Sequence, residues 1–517
     1  MSRTLDRRRF LVLGGASAAA VASARLPGAW AAPAAAGAGD FERGEGPFQL
    51  GVASGDPLAD AVVIWTRLAP EPLALDGRGG MPDRPVPVRW EIADDERFSR
   101  LAGSGVAMAL PEHAHTVHVD VRRLAPARWY FYRFMVGATT SAVGRTRTAP
   151  APGAPSRRLA FAFASCQNYA DGYYTSYQAM VREELDLVVH VGDYIYEGPA
   201  QGTLGRGHLP AVEVRTLPEY RLRHAQYKTD ADLQAMHAAA PWIVTWDDHE
   251  VENNYADEDA DPDVPVAEFL QRRAVAYQAY WEHMPLRQAQ RPVGPDTLLY
   301  RRLAFGDLAE FDVLDTRQYR SDQPSCPEAD CAEAFDPSRT ILGGEQEAWL
   351  FDGLTRSTAR WNVLAQQVPL YEDAPVGLPA DKWDGYRVSR QRLLDVLATG
   401  EVSNPVVITG DVHFNTAADL KADFADPDSA IVGSEFVGTS ISTSGDGLAE
   451  TDFGPFPDNP HIAFVNRGQR GYVRCELTRD LWRADYRVVD TVEQPTSGAT
   501  TLVSYVIENG RRGLQRR

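Results

Sequence analysis

Five apolar stretches of this 517-residue chain run into residues able to bind a metal or move a proton. LAFAFA leads to Ser165-Cys166-Gln167-Asn168, and LVVHV to Gly192-Asp193-Tyr194-Ile195-Tyr196. WIVTW leads to Asp247-Asp248-His249-Glu250-Val251-Glu252-Asn253-Asn254, PVVIT to Gly410-Asp411-Val412-His413, and FDVL to Asp315-Thr316-Arg317-Gln318-Tyr319-Arg320. A single strand closing on Gly-Asp is ordinarily a turn in which the side chain bonds nearby backbone. Several such ends offering Asp, His, Tyr and Cys together are poorly explained as turns, because crowded carboxylates raise one another's pKa unless a cation neutralises them. The economical reading is a cluster of metal ions. Oxygen donors from Asp193, Asp248, Asn253 and Asp411 suit calcium, magnesium or manganese, whereas the Cys166 thiolate, the His413 imidazole and the Tyr196 phenolate prefer a transition metal. Tyr196 lies three residues after Asp193, so one tight turn brings both to one ion, and a tyrosinate favours a ferric centre.

To bring these ends together the strands must belong to an open α/β arrangement, which binds ligands at the carboxyl ends of its strands. Residues 157–517 have the required alternation, with helical periodicity in TSYQAMVREEL, LPEYRLRHAQYKTDADLQAMHAA, VAEFLQRRAVAYQAYWEHM and GGEQEAWLFDGLTR. Residues 45–150 differ. FQLGVASGD, AVVIWTRLA, VPVRWEIAD, HTVHVDVRRL and RWYFYRFMVG read as strands without an intervening helix, which predicts an all-β immunoglobulin- or fibronectin-like sandwich with Tyr130 or Tyr132 as its corner tyrosine. APAPGAPSRR, from Ala149, is the proline-rich boundary.

Residues 1–31 read as a targeting segment: Arg7-Arg8 with Phe10 and Leu11, a run of small and apolar residues, then Ala29-Trp30-Ala31 as a cleavage site. The paired arginines predict export by the twin-arginine machinery, which carries folded proteins, and hence a secreted, extracellular or periplasmic location. No later stretch is long and apolar enough to be a stable transmembrane segment. The net charge of −19 repels polyanions at long range and argues against a nucleic-acid scaffold role. Of four cysteines, Cys326 and Cys331 close a short polar loop and are expected to form a disulfide in an oxidising compartment, and Cys475 is expected to pack within a strand.

The motifs FASCQN, HVGDYIYE, WDDHEVENN, LDTRQYR, GDVHFN and NPHIAFVNRGQRGY, in this order, resemble the motif set of the PhoD-type alkaline phosphatases, relatives of the calcineurin-like and purple acid metallophosphatases. The resemblance covers nearly the whole chain. It implies a four-layer α/β metallophosphatase core of two packed sheets flanked by helices, preceded by the β-sandwich. It further implies Fe(3+) held by Cys166, Asp193, Tyr196 and His413, with Asp193 bridging to Ca(2+) and Asp248, Asn253 and Asp411 completing the calcium side. In WDDHEVENN the choice among Asp247, Asp248, Asn253 and Asn254 stays open. A small-molecule phosphate ester is the implied substrate, monoester and also diester, hydrolysed by water activated between the metals, with Asp193, Asn253, Asp411 and His413 in the catalytic set. A monomer is expected.

Asn168, His249 and Arg317 are candidate phosphate contacts; His249 is also a candidate proton donor to the leaving group, and Arg317 has the alternative of a structural ion pair. His190, inside an apolar strand, reads as a core histidine with one hydrogen bond. Ser440, Ser442 and Ser444 read as a loop near the site rather than as nucleophiles. Two competing functions remain: a phosphodiesterase acting on lipid, teichoic-acid or nucleotide diesters, separated by cleft shape, and a calcium-stabilised surface binding protein, disfavoured because structural calcium sites use neither thiolate nor phenolate.

Overall fold

The computed structural model describes residues 46–260, 262–373, 378–448, 450–454 and 456–517. The expected targeting segment lies outside them. The apolar runs of the sequence form parallel strands in two sheets. In a ten-stranded sheet the order is Gln515–Arg516, Ala499–Glu508, Leu481–Val489, Gly471–Thr478, Arg158–Ala164, Leu187–His190, Trp242–Val244, Val52–Gly55, Ala61–Arg67 and Thr116–Arg122. The four strands from Arg158–Ala164 to Val52–Gly55 are mutually parallel. An eight-stranded sheet holds a second parallel set, Ala309–Val313, Trp361–Ala365, Pro405–Thr409 and Ile431–Val437. Parallel pairing puts the carboxyl ends of consecutive strands at one edge, which is what a shared site requires.

Both faces of these strands are buried, hence their unbroken apolar composition. Leu187 and Val189 point into the core between the sheets, with Phe161, Phe163 and Ile243 against Phe311, Val363, Ile408 and Phe436. Val188, one residue out of phase, joins the opposite cluster beneath helices α1 (Thr175–Val181), α2 (Leu217–Lys228), α3 (Ala231–Ala239) and α4 (Val266–His283). Helices α5 (Gly343–Arg356) and α6 (Arg387–Ala398) cover the outer face of the second sheet through Leu350, Leu354, Leu393 and Leu397. The result is four layers, helix, sheet, sheet, helix, as the resemblance implied. The segment expected as one helical stretch from Leu217 breaks after Lys228, where Asp230 caps α3 by accepting the Asp232 and Leu233 N–H groups.

The all-β region is a sandwich with a shared wall. Leu101–Ala109, Val86–Ala93, Trp129–Val136, Thr139–Thr140 and Gly144–Arg147 form a five-stranded sheet. It packs Val88, Ile92, Tyr130, Tyr132 and Phe134 against Val62, Ile64, Val117 and Val121. The latter lie on strands of the ten-stranded sheet, so one wall of the sandwich is hydrogen-bonded into the α/β body, Val52–Gly55 pairing with Trp242–Val244. Tyr130 is the corner tyrosine: its hydroxyl accepts the Ala125 N–H at 2.8 Å. Cys326 and Cys331 are disulfide-bonded, and Cys475 is buried within the Gly471–Thr478 strand.

Candidate metal centre

At the common strand edge the backbone leaves the sheets in an unusual conformation. Cys166, Asp193, Asn254, Asp411 and His413 all have φ between 56° and 67°, a left-handed geometry that costs a non-glycine residue on the order of 1–3 kcal/mol and concentrates at functional sites. Two glycines allow the ends to approach. A Cβ on Gly192 (φ 117°) would lie 2.5 Å from the Asp247 Cβ, and one on Gly410 would lie 2.3 Å from the Ser165 Oγ.

These turns gather two overlapping donor groups. Ligand atoms of Cys166, Asp193 and His413 lie within 4.8 Å of one another, and so do those of Asp193, Asp248 and His249. Asp193 is common to both. The Tyr196 hydroxyl donates to Asp193 Oδ2 at 2.8 Å and sits 3.1 Å from His413 Nε2, so the phenol belongs to the first group. Burial pushes the Asp193 carboxyl well up, with Asp248 and Asp247 adding to it against His249. Burial and Asp193 push up both the Cys166 thiol and the Tyr196 phenol. Burial followed by Asp381 raises Asp411 to about 7, and burial followed by Arg470 lowers His413 to about 4. Asp193 Oδ1 and Asp247 Oδ2 are buried without a hydrogen-bond partner. Anionic donors that resist ionisation, orphaned carboxylate oxygens and a neutral imidazole suit cations between them. The residues present therefore fit a metal cluster.

Other side chains hold these donors in place. Glu250, fully buried, accepts the Asp193 N–H at 3.1 Å and the Asp247 N–H at 2.8 Å on Oε2, and the Tyr194 N–H on Oε1. One carboxyl thus ties two of the donor-bearing loops together, although burial pushes it up to about 8. Glu197 receives His249 Nδ1 at 2.7 Å and the Asn253 N–H at 2.9 Å, and the His249 ring lies 4.2 Å from that of Tyr196. Burial opposes protonation of His249, but Asp248, Asp193 and Glu197 outweigh it and raise its pKa well above the usual value. Burial would likewise raise Asp248, yet Arg317 and His249 hold it below the ordinary carboxylate range.

Asp411 and His413 are half-buried, and Asn253 is exposed and held through its backbone. Asn168 uses its side chain on the Ala170 N–H. Arg317 is buried, its Nε on Asp247 and its two Nη atoms on Asp381 at 2.7 and 2.9 Å; of its two sequence readings, this geometry is that of the ion pair. His190 packs between Tyr194 and Trp242, but neither ring nitrogen has a hydrogen-bond partner, in place of the one expected. Its strand neighbours are apolar, and burial lowers it to about 3, so it is neutral and pays a desolvation cost. Glu197, Glu250, Asp381, Thr443 and Arg470 were missed as site residues. The signal for Glu250 is present, since it directly follows Asp248-His249; Thr443 lies among serines that read as a plain loop.

The PhoD-like phosphatase family model matches residues 161–486, and the model of the N-terminal domain of PhoD-like phosphatases matches residues 32–150. The chain belongs to the PhoD-like phosphatases. This phosphatase is 48% identical to alkaline phosphatase D of Bacillus subtilis (strain 168), over 100% of this chain and 90% of that protein. It superposes on the solved structure of PhoD with a TM-score of 0.86 at 50% identity, over 91% of this chain and 92% of the other. A purple acid phosphatase from yellow lupin seeds shares the fold at TM-score 0.55 and 12% identity, over 89% and 74% of the two chains.

Proposed function

We propose that this phosphatase is an exported enzyme that hydrolyses phosphate monoesters and diesters, using iron on Cys166, Asp193, Tyr196 and His413 and calcium on Asp193, Asp248, Asn253 and Asp411. The carrying observation is the pair of donor groups sharing Asp193, one with thiol, phenol and imidazole, the other with two carboxylates and the His249 imidazole. When bound, such ions supply positive charge to the phosphoryl oxygens and lower the pKa of water. The protein's own part is to hold the donors rigid and to handle the proton of the leaving group. Glu250 fixes the loops, and the Arg317 pairs fix Asp247 and Asp381. Asp248, Asp193 and Glu197 raise the imidazole's proton affinity against burial, and Glu197 holds His249 Nδ1, which leaves Nε2 to protonate the departing oxygen.

His249→Gln tests this role through leaving groups. General acid catalysis is worth about 10²–10⁴-fold, and it matters most where the leaving oxygen is basic. The variant should lose far more turnover on an alkyl phosphate than on p-nitrophenyl phosphate; equal losses on both refute it. The export part of the reading is supported by Arg7-Arg8 and by the Cys326–Cys331 disulfide. Replacing both arginines by lysine should leave the protein inside the cell, and unchanged export would refute it.

A further inference from the structure

We propose that Thr443 is a positioning residue for Tyr196: its hydroxyl, within hydrogen-bond reach of both the Cys166 carbonyl and the Tyr196 oxygen, turns to the latter when a metal takes the place of the phenol proton, which is released to solvent. The inference rests on Tyr196 being a metal ligand. Thr443 Oγ1 lies 2.7 Å from the Cys166 carbonyl oxygen and 3.0 Å from the Tyr196 hydroxyl oxygen, and it accepts the Asn168 N–H at 3.2 Å. A threonine hydroxyl has one proton, so it serves one of the two oxygens at a time. While Tyr196 is a phenol, its own proton goes to Asp193 Oδ2, and the Thr443 proton belongs on the nearer carbonyl. Once the phenol proton is gone, the charged oxygen is the stronger acceptor, since hydrogen bonds to ionised groups are about twice as strong. His413 Nε2, the other neighbour at 3.1 Å, has no proton to give when it is the ligating nitrogen.

The loop around Thr443 is built to hold that hydroxyl in place. The Ile441 N–H bonds the Ser165 carbonyl at 3.0 Å and the Thr443 N–H bonds the Cys166 carbonyl at 3.3 Å, which staples the loop alongside the strand end that carries Cys166. Ser440 Oγ donates to the Thr443 carbonyl at 2.9 Å and Ser442 Oγ to the Asn168 carbonyl at 2.8 Å. The next residue, Ser444, has a φ of 67°, and its N–H is taken by Asp171 at 2.8 Å. Arg470, buried, donates to the Gly445 carbonyl at 2.8 Å and also to the carbonyls of Ser444 and His413. One guanidinium therefore links the Thr443 loop to the His413 turn. The serines of TSISTSGDG are the scaffold of a single threonine contact.

The test is optical and does not rely on turnover. In the metal-loaded enzyme a donor to the phenolate oxygen stabilises its filled orbitals, so Thr443→Val should move the phenolate-to-metal absorption band to longer wavelength while Thr443→Ser leaves it in place. The valine variant should also bind metal about 10–100-fold more weakly, the usual cost of losing an outer partner of a ligand. Resonance Raman of the wild-type holoenzyme in D2O needs no variant: exchange of the Thr443 hydroxyl proton hydrogen-bonded to the phenolate oxygen should shift its C–O mode. A band unmoved in Thr443→Val, or no deuterium effect, overturns the inference while leaving the metal site standing. A colourless wild-type holoenzyme overturns the ligand reading of Tyr196 and this inference with it.

Discussion

Glu250→Gln keeps the shape of the side chain but turns one of its two acceptor oxygens into an NH2 group. In the protein, Oε2 serves the Asp193 and Asp247 N–H groups and Oε1 serves the Tyr194 N–H. The better glutamine orientation leaves its oxygen on the first two and sets NH2 against the Tyr194 N–H, so one buried donor loses its acceptor. A buried group left unsatisfied costs about 1–3 kcal/mol. The opposite orientation orphans two donors, so the lower figure set by one orphan is the expected loss. Urea unfolding of the metal-free protein at a pH above about 8, where Glu250 is ionised, measures it directly. Because the disturbed loop carries Asp193, metal titration of the same variant should show a loss of about 10–100-fold in affinity. An unfolding free energy within about 0.5 kcal/mol of wild type, the scale of neutral surface changes, with unchanged metal binding would refute the argument that Glu250 ties the loops together.

Lys228 is buried 4.5 Å from the Trp65 ring centroid, and burial lowers it from 10.5 to about 7. Between those values the unfolded chain binds the extra proton, so stability rises with pH across that window, by up to about 5 kcal/mol; Lys228→Met should flatten the rise, read as unfolding free energy from pH 7 to 10. Gly410→Ala places a Cβ 2.3 Å from the Ser165 Oγ, forcing apart the ends that carry Cys166 and Asp411, and metal content per protein should fall sharply while far-ultraviolet circular dichroism is retained. Arg317→Met strips the cation from buried Asp247 and from Asp381 and should cost about 3–5 kcal/mol of stability, whereas a raised KM at unchanged stability would mark Arg317 as a phosphate contact.

Strand ends were legible because burial on both faces forces apolar runs, and a run that stops on Asp or Cys stands out. The inward and outward phases of Leu187, Val188 and Val189 could not be read from such a run, since both faces demand the same residue types. The Leu101–Ala109 strand escaped notice because it is an edge strand of small residues, much of it exposed. The sharing of one sandwich wall with the α/β body depends on strands far apart in sequence, Val52–Gly55 and Trp242–Val244, and no local pattern reports such a pairing. At the site, donors announced themselves by chemical type. Their supports did not: Glu197, Glu250, Thr443 and Arg470 act on backbone groups or on other side chains, and only the folded geometry shows which.

Elemental analysis of the purified protein, paired with p-nitrophenyl phosphate turnover before and after chelation, tests the metal-cluster reading most directly. It should find iron and calcium bound to the chain, turnover lost on chelation, and recovery on adding calcium back to protein that has kept its iron. A protein free of metal that hydrolyses the ester at the full rate would contradict it.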